Sequence, residues 1–152
     1  MFTLVPAPFF NPGSARDTLA EVAELKEGDE VRQLDIPQYD AVLVYSADGD
    51  GVVADTPEIY RILTRLPECP EYNKILCSRR EDLFYLAVAQ GKSLLIANSF
   101  PARDFTTAEY YLFLTLKSLQ LNPEISTVCW LSPLEDEEEM ALYRYFKSVV
   151  RL

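Results

Sequence analysis

The order of apolar segments in the second half of the chain constrains the fold more than any other feature. Three extended apolar runs follow one another closely, at residues 74–79, 82–89 and 93–100. Gln90-Gly91-Lys92 joins the last two as a glycine-containing hairpin turn. A helical pattern, a continuous apolar strand at residues 127–131 and a second helix to about residue 149 come next. This order predicts an antiparallel meander that passes through a helix into a parallel strand, and therefore an α/β fold with a mixed sheet.

The first half of the chain also alternates between strand and helix patterns. We expect three strands and two helices, namely strands at residues 2–5, 30–36 and 40–46, and helices from Ser14 to near Gly28 and from Thr56 up to Pro67. Two prolines in Pro67-Glu68-Cys69-Pro70 exclude both helix and central strand. The sequence therefore predicts two units, residues 1–67 and 74–152, joined by a linker at residues 68–73.

Polar residues mark the predicted helix starts. Ser14 and Thr56 each provide a capping hydroxyl, and Thr56 precedes a proline at the first helical position. Two capping boxes are predicted, at Thr106 with Glu109 and at Ser132 with Glu135. The acidic run at residues 135–139 then lies in the first turns of the last helix, where the helix dipole favours negative charge.

Composition narrows the possible chemistry. The chain has 152 residues, enough for one ordinary domain, with 24 acidic residues, 14 basic residues and no histidine. A net charge of −10 argues against nucleic-acid binding, because phosphates repel an acidic surface. The absence of histidine excludes Ser-His-Asp, Cys-His and histidine-based metal chemistry. Cys69, Cys77 and Cys129 are dispersed, form no C-x-x-C pair and lack a histidine to activate them, so we expect buried thiols and no metal.

The sequence predicts neither secretion nor membrane insertion. Residues 1–10 contain no Lys or Arg and include Pro6 and Pro8, unlike a secretory leader. The longest apolar stretches, such as residues 94–97, fall far short of the ~20 residues needed to cross a bilayer. We therefore expect a cytoplasmic protein.

Several short segments together resemble the landmarks of one family. They are Phe2-Thr3-Leu4-Val5-Pro6, Phe9-Phe10, residues 25–31, Ile36-Pro37, residues 94–100 and Glu109-Tyr110-Tyr111-Leu112. Along nearly all of its length the chain is similar to an uncharacterised Bacteroidetes family of unknown function. The resemblance implies a duplicated actin-like ATPase fold, which is ribonuclease H-like and distantly similar to pilus-assembly ATPase relatives. The shared motifs are structural rather than catalytic, and a fold alone assigns no function.

Compared with the family pattern, the first repeat of this chain is incomplete. The resemblance implies that residues 1–67 are part of a first actin-like subdomain and residues 74–152 most of a second one. The chain is then a fragment or a shortened member of the family. Its first strand would lack its usual sheet partners, so we expect that edge to pair with another part of the chain or with another molecule.

The loops where actin-like relatives hold nucleotide lack the residues that such a site needs. Close approach of backbone amides to phosphate needs glycine, and Mg²⁺ needs an acidic residue. Ser78, Arg79 and Arg80 end the first strand of the meander, and Ser132 with Pro133 follows the strand at residues 127–131. Neither loop contains glycine, and proline donates no amide. By their position, Ser78, Arg79, Arg80 and Ser132 are the candidate ligand-binding residues.

Two motifs have an alternative interpretation. Arg79 and Arg80 could bind an anion, but we expect surface pairing with Glu81 or Asp82. The turn at residues 48–51, Asp-Gly-Asp-Gly, is similar to the start of a calcium loop but lacks its twelfth-position Glu, so we expect a plain turn.

These observations favour a degenerate ATPase fold that acts as a cytoplasmic, non-catalytic interaction or scaffold module, without ATP, Mg²⁺ or another cofactor. Its 9 tyrosines are many for this length, and tyrosine is frequent at interfaces. The expected partner is an unidentified protein or a second copy of the chain. The alternative is an ATP-binding actin-like ATPase related to pilus-assembly proteins.

Overall fold

The computed structural model describes residues 1–47, 52–53 and 56–152, so the turn at residues 48–51 lies outside the described residues. The strands are β1 (Phe2–Pro6), β2 (Val31–Ile36), β3 (Ala41–Ser46), β4 (Val52–Val53), β5 (Thr56–Pro57), β6 (Asn73–Arg80), β7 (Leu83–Gln90), β8 (Ser93–Pro101), β9 (Thr127–Trp130) and β10 (Ser148–Arg151). The helices are α1 (Ala15–Ala20), α2 (Glu58–Arg65), α3 (Phe105–Ser118) and α4 (Asp136–Tyr143). Within the described part, no helix has the length and apolar character to cross a membrane.

The larger sheet is mixed and has the strand order β10-β9-β6-β7-β8. β6, β7 and β8 are antiparallel neighbours, whereas β9 runs parallel to both β6 and β10. Both hairpin turns contain a residue in the left-handed backbone region, Glu81 at φ 54° and Gly91 at φ 57°. α3 connects β8 to β9, and α4 connects β9 to β10. The predicted meander, helix and parallel strand are confirmed.

Both faces of the five-stranded sheet are buried. On one face, Phe84, Leu86 and Trp130 form a cluster with apolar residues of α3 and α4. On the other face, Leu76 and Ala87 pack in a cluster that includes residues of α2. Strands that are covered on both faces are continuously apolar rather than alternating, which explains the sequence pattern of the central strands.

The smaller sheet is antiparallel and has the order β1-β3-β2. Its central strand, β3, is nearly all buried, and its successive side chains point alternately to the two faces of the sheet. Val44 faces one side, where it packs with Leu19 of α1. Leu43 faces the other side, in the same cluster as Ile62 of α2 and Ala87 of β7.

One apolar cluster therefore includes residues from both predicted units. Leu43 comes from the first predicted unit and Ala87 from the second, and Cys69, within the predicted linker, is buried in the same cluster. The chain before Cys69 forms a single 3-10 turn at Leu66–Glu68. The division into residues 1–67, 68–73 and 74–152 stays a prediction. Within its linker Cys69 is buried, whereas Glu68 and residues 70–72 are exposed.

Two helices end earlier than predicted. α1 stops at Ala20 rather than near Gly28 because Leu19 is its only buried residue, so little packing supports a longer helix. α4 stops at Tyr143 rather than near residue 149, since Val149 and Val150 are β-branched and pair in parallel with β9 as part of β10.

The predicted N-cap residue is right only at α1, and none of the four predicted capping hydroxyls caps a helix. Pro57, not Thr56, is the N-cap of α2, and it makes no side-chain hydrogen bond. α3 begins after Asp104, whose carboxylate accepts from the Thr107 amide at 2.7 Å. α4 has a capping box between Glu135 and Glu138. Ser14 is the N-cap residue of α1, although its hydroxyl does not cap the helix.

Candidate functional site

The four candidate residues lie together at one end of the five-stranded sheet. Ser78, Arg79 and Arg80 end β6, and Ser132 follows β9, its parallel neighbour. The Ser132 hydroxyl accepts a hydrogen bond from the Arg79 amide at 2.8 Å, which ties the two loops together. Parallel strands bring their carboxyl ends to the same edge of a sheet, so the chain direction explains this convergence.

The centre of this cleft is a buried carboxylate that the sequence reasoning missed. Glu58, the first residue of α2, is 2% exposed. Its oxygens accept from Arg61 Nη1 at 2.9 and 3.1 Å and from Arg80 Nη1 at 2.7 Å. The Ser78 hydroxyl lies 3.4 Å from Glu58 Oε1. A buried carboxylate is costly unless it is paired, and Arg61 and Arg80 provide that pairing for Glu58.

The predicted surface pairing of the two arginines is wrong. Arg80 pairs with Glu58, and Arg79 Nη1 donates to Glu138 Oε2 of α4 at 3.0 Å. Successive residues of a strand point to opposite faces, so Arg79 and Arg80 reach helices on opposite sides of the sheet instead of the adjacent turn. Arg79 Nε is buried and has no hydrogen-bond partner among the described residues.

The hydroxyl oxygen of Ser132 also has its hydrogen-bond partners within the protein. Besides the Arg79 amide, its hydroxyl accepts from Trp130 Nε1 at 3.0 Å. A serine oxygen has two acceptor positions, and these two donors use both of them. Ser132 is therefore a structural link between β6 and β9, which explains why Glu135 and not Ser132 caps α4.

Charge in the cleft is balanced internally. The cleft has a volume of about 330 Å³, and Glu58, Arg61, Arg79, Arg80, Glu81, Leu131, Ser132 and Pro133 line it. With Glu138 behind Arg79, three guanidinium groups face three carboxylates. The lining contains no glycine, and Pro133 has no amide to donate. A polyphosphate would meet a cleft with no net positive charge.

The cysteines lie in the core rather than at this cleft. All three are buried and free, as expected for structural thiols. The neighbouring Cys129 thiol, together with burial, raises the pKa of the Cys69 thiol. Burial also raises the pKa of the Cys77 thiol. Among the described residues, no group of three or more acidic, cysteine or histidine side chains is arranged to hold a metal.

The arrangement defines an α/β protein of actin-like ATPase fold with a neutralised cleft between its two loops. A crystal structure from Bacteroides thetaiotaomicron VPI-5482, of a protein with actin-like ATPase fold and unknown function, matches with a TM-score of 0.75 and 19% identity. The match covers 99% of this chain and 64% of that one, so the chain spans less than two thirds of its relative. The expected fold class is confirmed.

The sequence itself places the chain in a family. The profile of DUF3822, described as a protein of unknown function, matches residues 54–149, which is more than half of the chain. The chain belongs to this family, and the expected membership of a family of unknown function is confirmed. No curated protein matches the chain.

Proposed function

We propose that this protein is a cytoplasmic, non-catalytic module of actin-like fold that works through contacts with another protein. The observation that carries the proposal is the hydrogen-bonded network around Glu58. The carboxylate that could have held Mg²⁺ through water is buried and is held by Arg61 and Arg80 instead. Ser132, the candidate in the second loop, has both acceptor positions filled.

Hydrolysis of a nucleotide would need groups that this cleft has committed elsewhere. Phosphoryl transfer depends on positioned cations, metal ions and backbone amides that stabilise charge on the transferred group. Here each cation of the cleft already has a carboxylate partner. Releasing Arg79 would leave the partly buried Glu138 unpaired, and releasing both Arg61 and Arg80 would leave the buried Glu58 unpaired, which is strongly unfavourable.

Exposed tyrosines support a role in protein contacts. Tyr72, Tyr110, Tyr143 and Tyr145 are 67%, 60%, 51% and 51% exposed, although tyrosine is a residue that proteins usually bury in part. Tyrosine contributes a large rigid contact area at a low entropic cost, which is why interfaces are enriched in it.

One observation favours the alternative, an ATP-binding actin-like ATPase. Arg61, Arg79 and Arg80 converge on one cleft, and in the hydrogen bonds described above each guanidinium donates to carboxylates through Nη1 alone. Guanidinium groups have five donors each, so the cleft retains capacity for an oxyanion. A direct binding measurement separates the two functions.

The test is a thermal-shift titration with ATP and Mg²⁺. At about 5 mM ATP, a site with a Kd of about 50 μM would stabilise the fold by about 2.7 kcal/mol. For a chain of this size, that corresponds to a rise of roughly 5–10 °C in the melting temperature. We expect no shift for the wild type. A saturable rise that Arg80→Gln abolishes, and that the distant variant Arg65→Gln retains, would establish the ATPase alternative.

A further inference from the structure

The backbone of β1 presents unpaired hydrogen-bonding groups along its outer edge. The Ser46 amide donates to the Met1 carbonyl and the Ala7 amide donates to the Asp40 carbonyl, which sets the pattern of the antiparallel β1–β3 pair. In this pattern the amides of Thr3 and Val5 point towards β3, whereas the amides and carbonyls of Phe2 and Leu4 point away from it. No backbone partner for these outward groups exists among the described residues.

The other edges of the two main sheets carry protective features. On β8, the outward amide of Ser99 donates to its neighbour Asn98 Oδ1 at 2.9 Å, and Pro101 ends the strand. β8 also has a register shift opposite residues 88 and 89. On β2, Arg32 and Asp35 place charges on the strand. Charges, prolines and bulges are the means by which proteins keep strand edges from pairing with other chains.

The two remaining edge strands, β10 and β1, differ from each other in length and in charge. β10 is only four residues long and ends in Arg151, which pairs with Glu139 at 2.8 Å. β1 has five residues, no charged side chain and no bulge, and its proline lies at the far end of the strand. Of these four edges, β1 alone has neither a charged side chain nor a bulge, although it ends in Pro6 as β8 ends in Pro101.

A groove runs beside the outer edge of β1. It has a volume of about 360 Å³ and is lined by residues 1–4, Val22 and residues 97–99. None of these residues has a charged side chain. The side chains of Phe2 and Leu4 pack against the apolar cluster between the sheets, and Thr3, Asn98 and Ser99 add uncharged polar groups to the groove beside the outward backbone of β1.

We propose that β1 is a docking edge for an extended, uncharged strand of a partner protein. This inference rests on the proposed function as a protein-interaction module and names the surface and the chemistry of the partner. The added strand would exchange hydrogen bonds with the backbone of Phe2 and Leu4, and its alternate side chains would lie in the uncharged groove. An uncharged strand fits because none of the side chains that line the groove is charged.

The groove argues against a second copy of the chain as the occupant. β1 forms a wall of a concave groove whose opposite side is β8. In a second copy, β1 lies inside the same kind of groove and does not project as a free strand. A flexible segment of another protein can enter the groove without that obstruction.

Amide hydrogen exchange measured by NMR tests the proposal residue by residue. The probe is a capped peptide with the sequence of β3, residues 41–46, which is uncharged and already pairs with the inner edge of β1. We expect the Leu4 amide to exchange freely in the protein alone, while Thr3 and Val5 are protected as internal controls. With excess peptide, exchange at Leu4 should slow by about tenfold or more.

Paired proline variants locate the binding edge. Leu4→Pro removes an outward amide without breaking a bond to β3 and should abolish protection by the peptide at Phe2. Gln33→Pro is the matched control, because Gln33 is exposed. The bond from the Ala47 amide to the Glu30 carbonyl sets the pattern of the β2–β3 pair, in which the Gln33 amide points away from β3. The control variant should bind the peptide as the wild type does.

Three results would overturn the proposal. The first is an exchange rate of the Leu4 amide that saturating peptide does not change. The second is protection of the Ala97 amide of β8 instead of the Leu4 amide. The third is protection of the Leu4 amide that rises with protein concentration, together with a doubled mass in light scattering. The last result would identify a second copy as the occupant. None of them bears on ATP binding, so this test and the thermal-shift test fail independently.

Discussion

The five-stranded sheet and the three-stranded sheet bury their faces in a shared core, but their edges differ. The larger sheet is covered on both faces and ends in β8, which is guarded by Asn98 and Pro101, and in the short strand β10. The smaller sheet also has two covered faces, yet one of its edges, β1, has neither a charged side chain nor a bulge. The comparison teaches that face burial and edge protection are separate properties, and that an interaction surface can exist on a well-packed sheet.

The largest expected effect is in the larger sheet, at Trp130. Its ring centroid lies 5.9 Å from that of Phe84 and 5.7 Å from that of Phe105, and its Nε1 donates to Ser132. Trp130→Ala should lower the free energy of unfolding by about 3–5 kcal/mol, because it leaves a cavity and removes one of the two hydrogen bonds that the Ser132 oxygen accepts. Urea denaturation followed by circular dichroism measures the loss. Tyr110→Ala, at an exposed position, is the control and should change stability by less than about 0.5 kcal/mol. An equal effect of the two variants would contradict the packing described here.

A matched truncation in the smaller sheet asks whether the two sheets unfold together. Leu43→Ala should cost about 2–4 kcal/mol, and the fluorescence of Trp130, the only tryptophan, should report the same transition as circular dichroism. The reason is that Leu43 and Ala87 belong to one apolar cluster. If Leu43→Ala shifts the circular-dichroism transition and leaves the Trp130 transition in place, residues 1–67 form a separate unit, as the sequence predicts.

The ion pairs of Glu58, one within α2 and one from α2 to β6, should have a smaller effect. Glu58→Gln removes the charge that Arg61 and Arg80 share, and we expect a loss of about 2 kcal/mol. This loss is well below that expected for a fully buried ion pair, because the side chains of Arg61 and Arg80 are 44% and 34% exposed and water screens their charge. Arg65→Gln, which breaks only an exposed pair with Glu68, serves as the control and should leave stability unchanged within error. A gain in stability for Glu58→Gln would show that the network opposes folding.

The smallest effect concerns acid stability through α3 of the larger sheet. The hydrogen bond from the Thr107 amide lowers the pKa of Asp104 below its usual value. A carboxylate with a lowered folded-state pKa stabilises the fold above its unfolded pKa of about 3.9, and this contribution is lost as the pH falls through the folded pKa. Asp104→Asn keeps an acceptor at the cap but does not titrate. Its melting temperature should therefore fall less between neutral pH and about pH 3 than that of the wild type.

A steeper acid dependence in Asp104→Asn would contradict this assignment. Glu109 provides a useful contrast on the same helix, because burial raises its pKa and gives its contribution the opposite sign. Glu109→Gln should accordingly steepen the loss of stability in acid. The two variants together distinguish capping from burial as the source of the pH dependence.

Much of the secondary structure could be predicted because local patterns were strong. The meander of β6, β7 and β8 was readable from three apolar runs and one glycine turn, and β3 from its nearly continuous apolar sequence. The ends of α1 and α4 were not readable, since packing decides where a short helix stops. The capping role of Asp104 was missed because Thr106 and Glu109 also fit a capping pattern two residues later.

The candidate site was predictable only in part. The convergence of Ser78, Arg79, Arg80 and Ser132 follows from two strand ends that a parallel pair places together. Glu58 was missed because an acidic residue in the first turn of a helix usually reflects the helix dipole. Its burial, and its pairing with a residue 22 positions away, have no local signal in the sequence. Whether the four candidate residues bind a ligand stays a prediction.

The amino-acid sequence by itself determined the class of fold, the family and the exclusion of histidine chemistry, because periodicity, turn residues and composition are local properties. Only the tertiary structure decided that Glu58 neutralises the arginines of the cleft and that β1 is left with open hydrogen-bonding groups. Both depend on which distant segments become neighbours and on which strand ends at a sheet edge. Such relationships arise from packing between elements, and no window of sequence contains them.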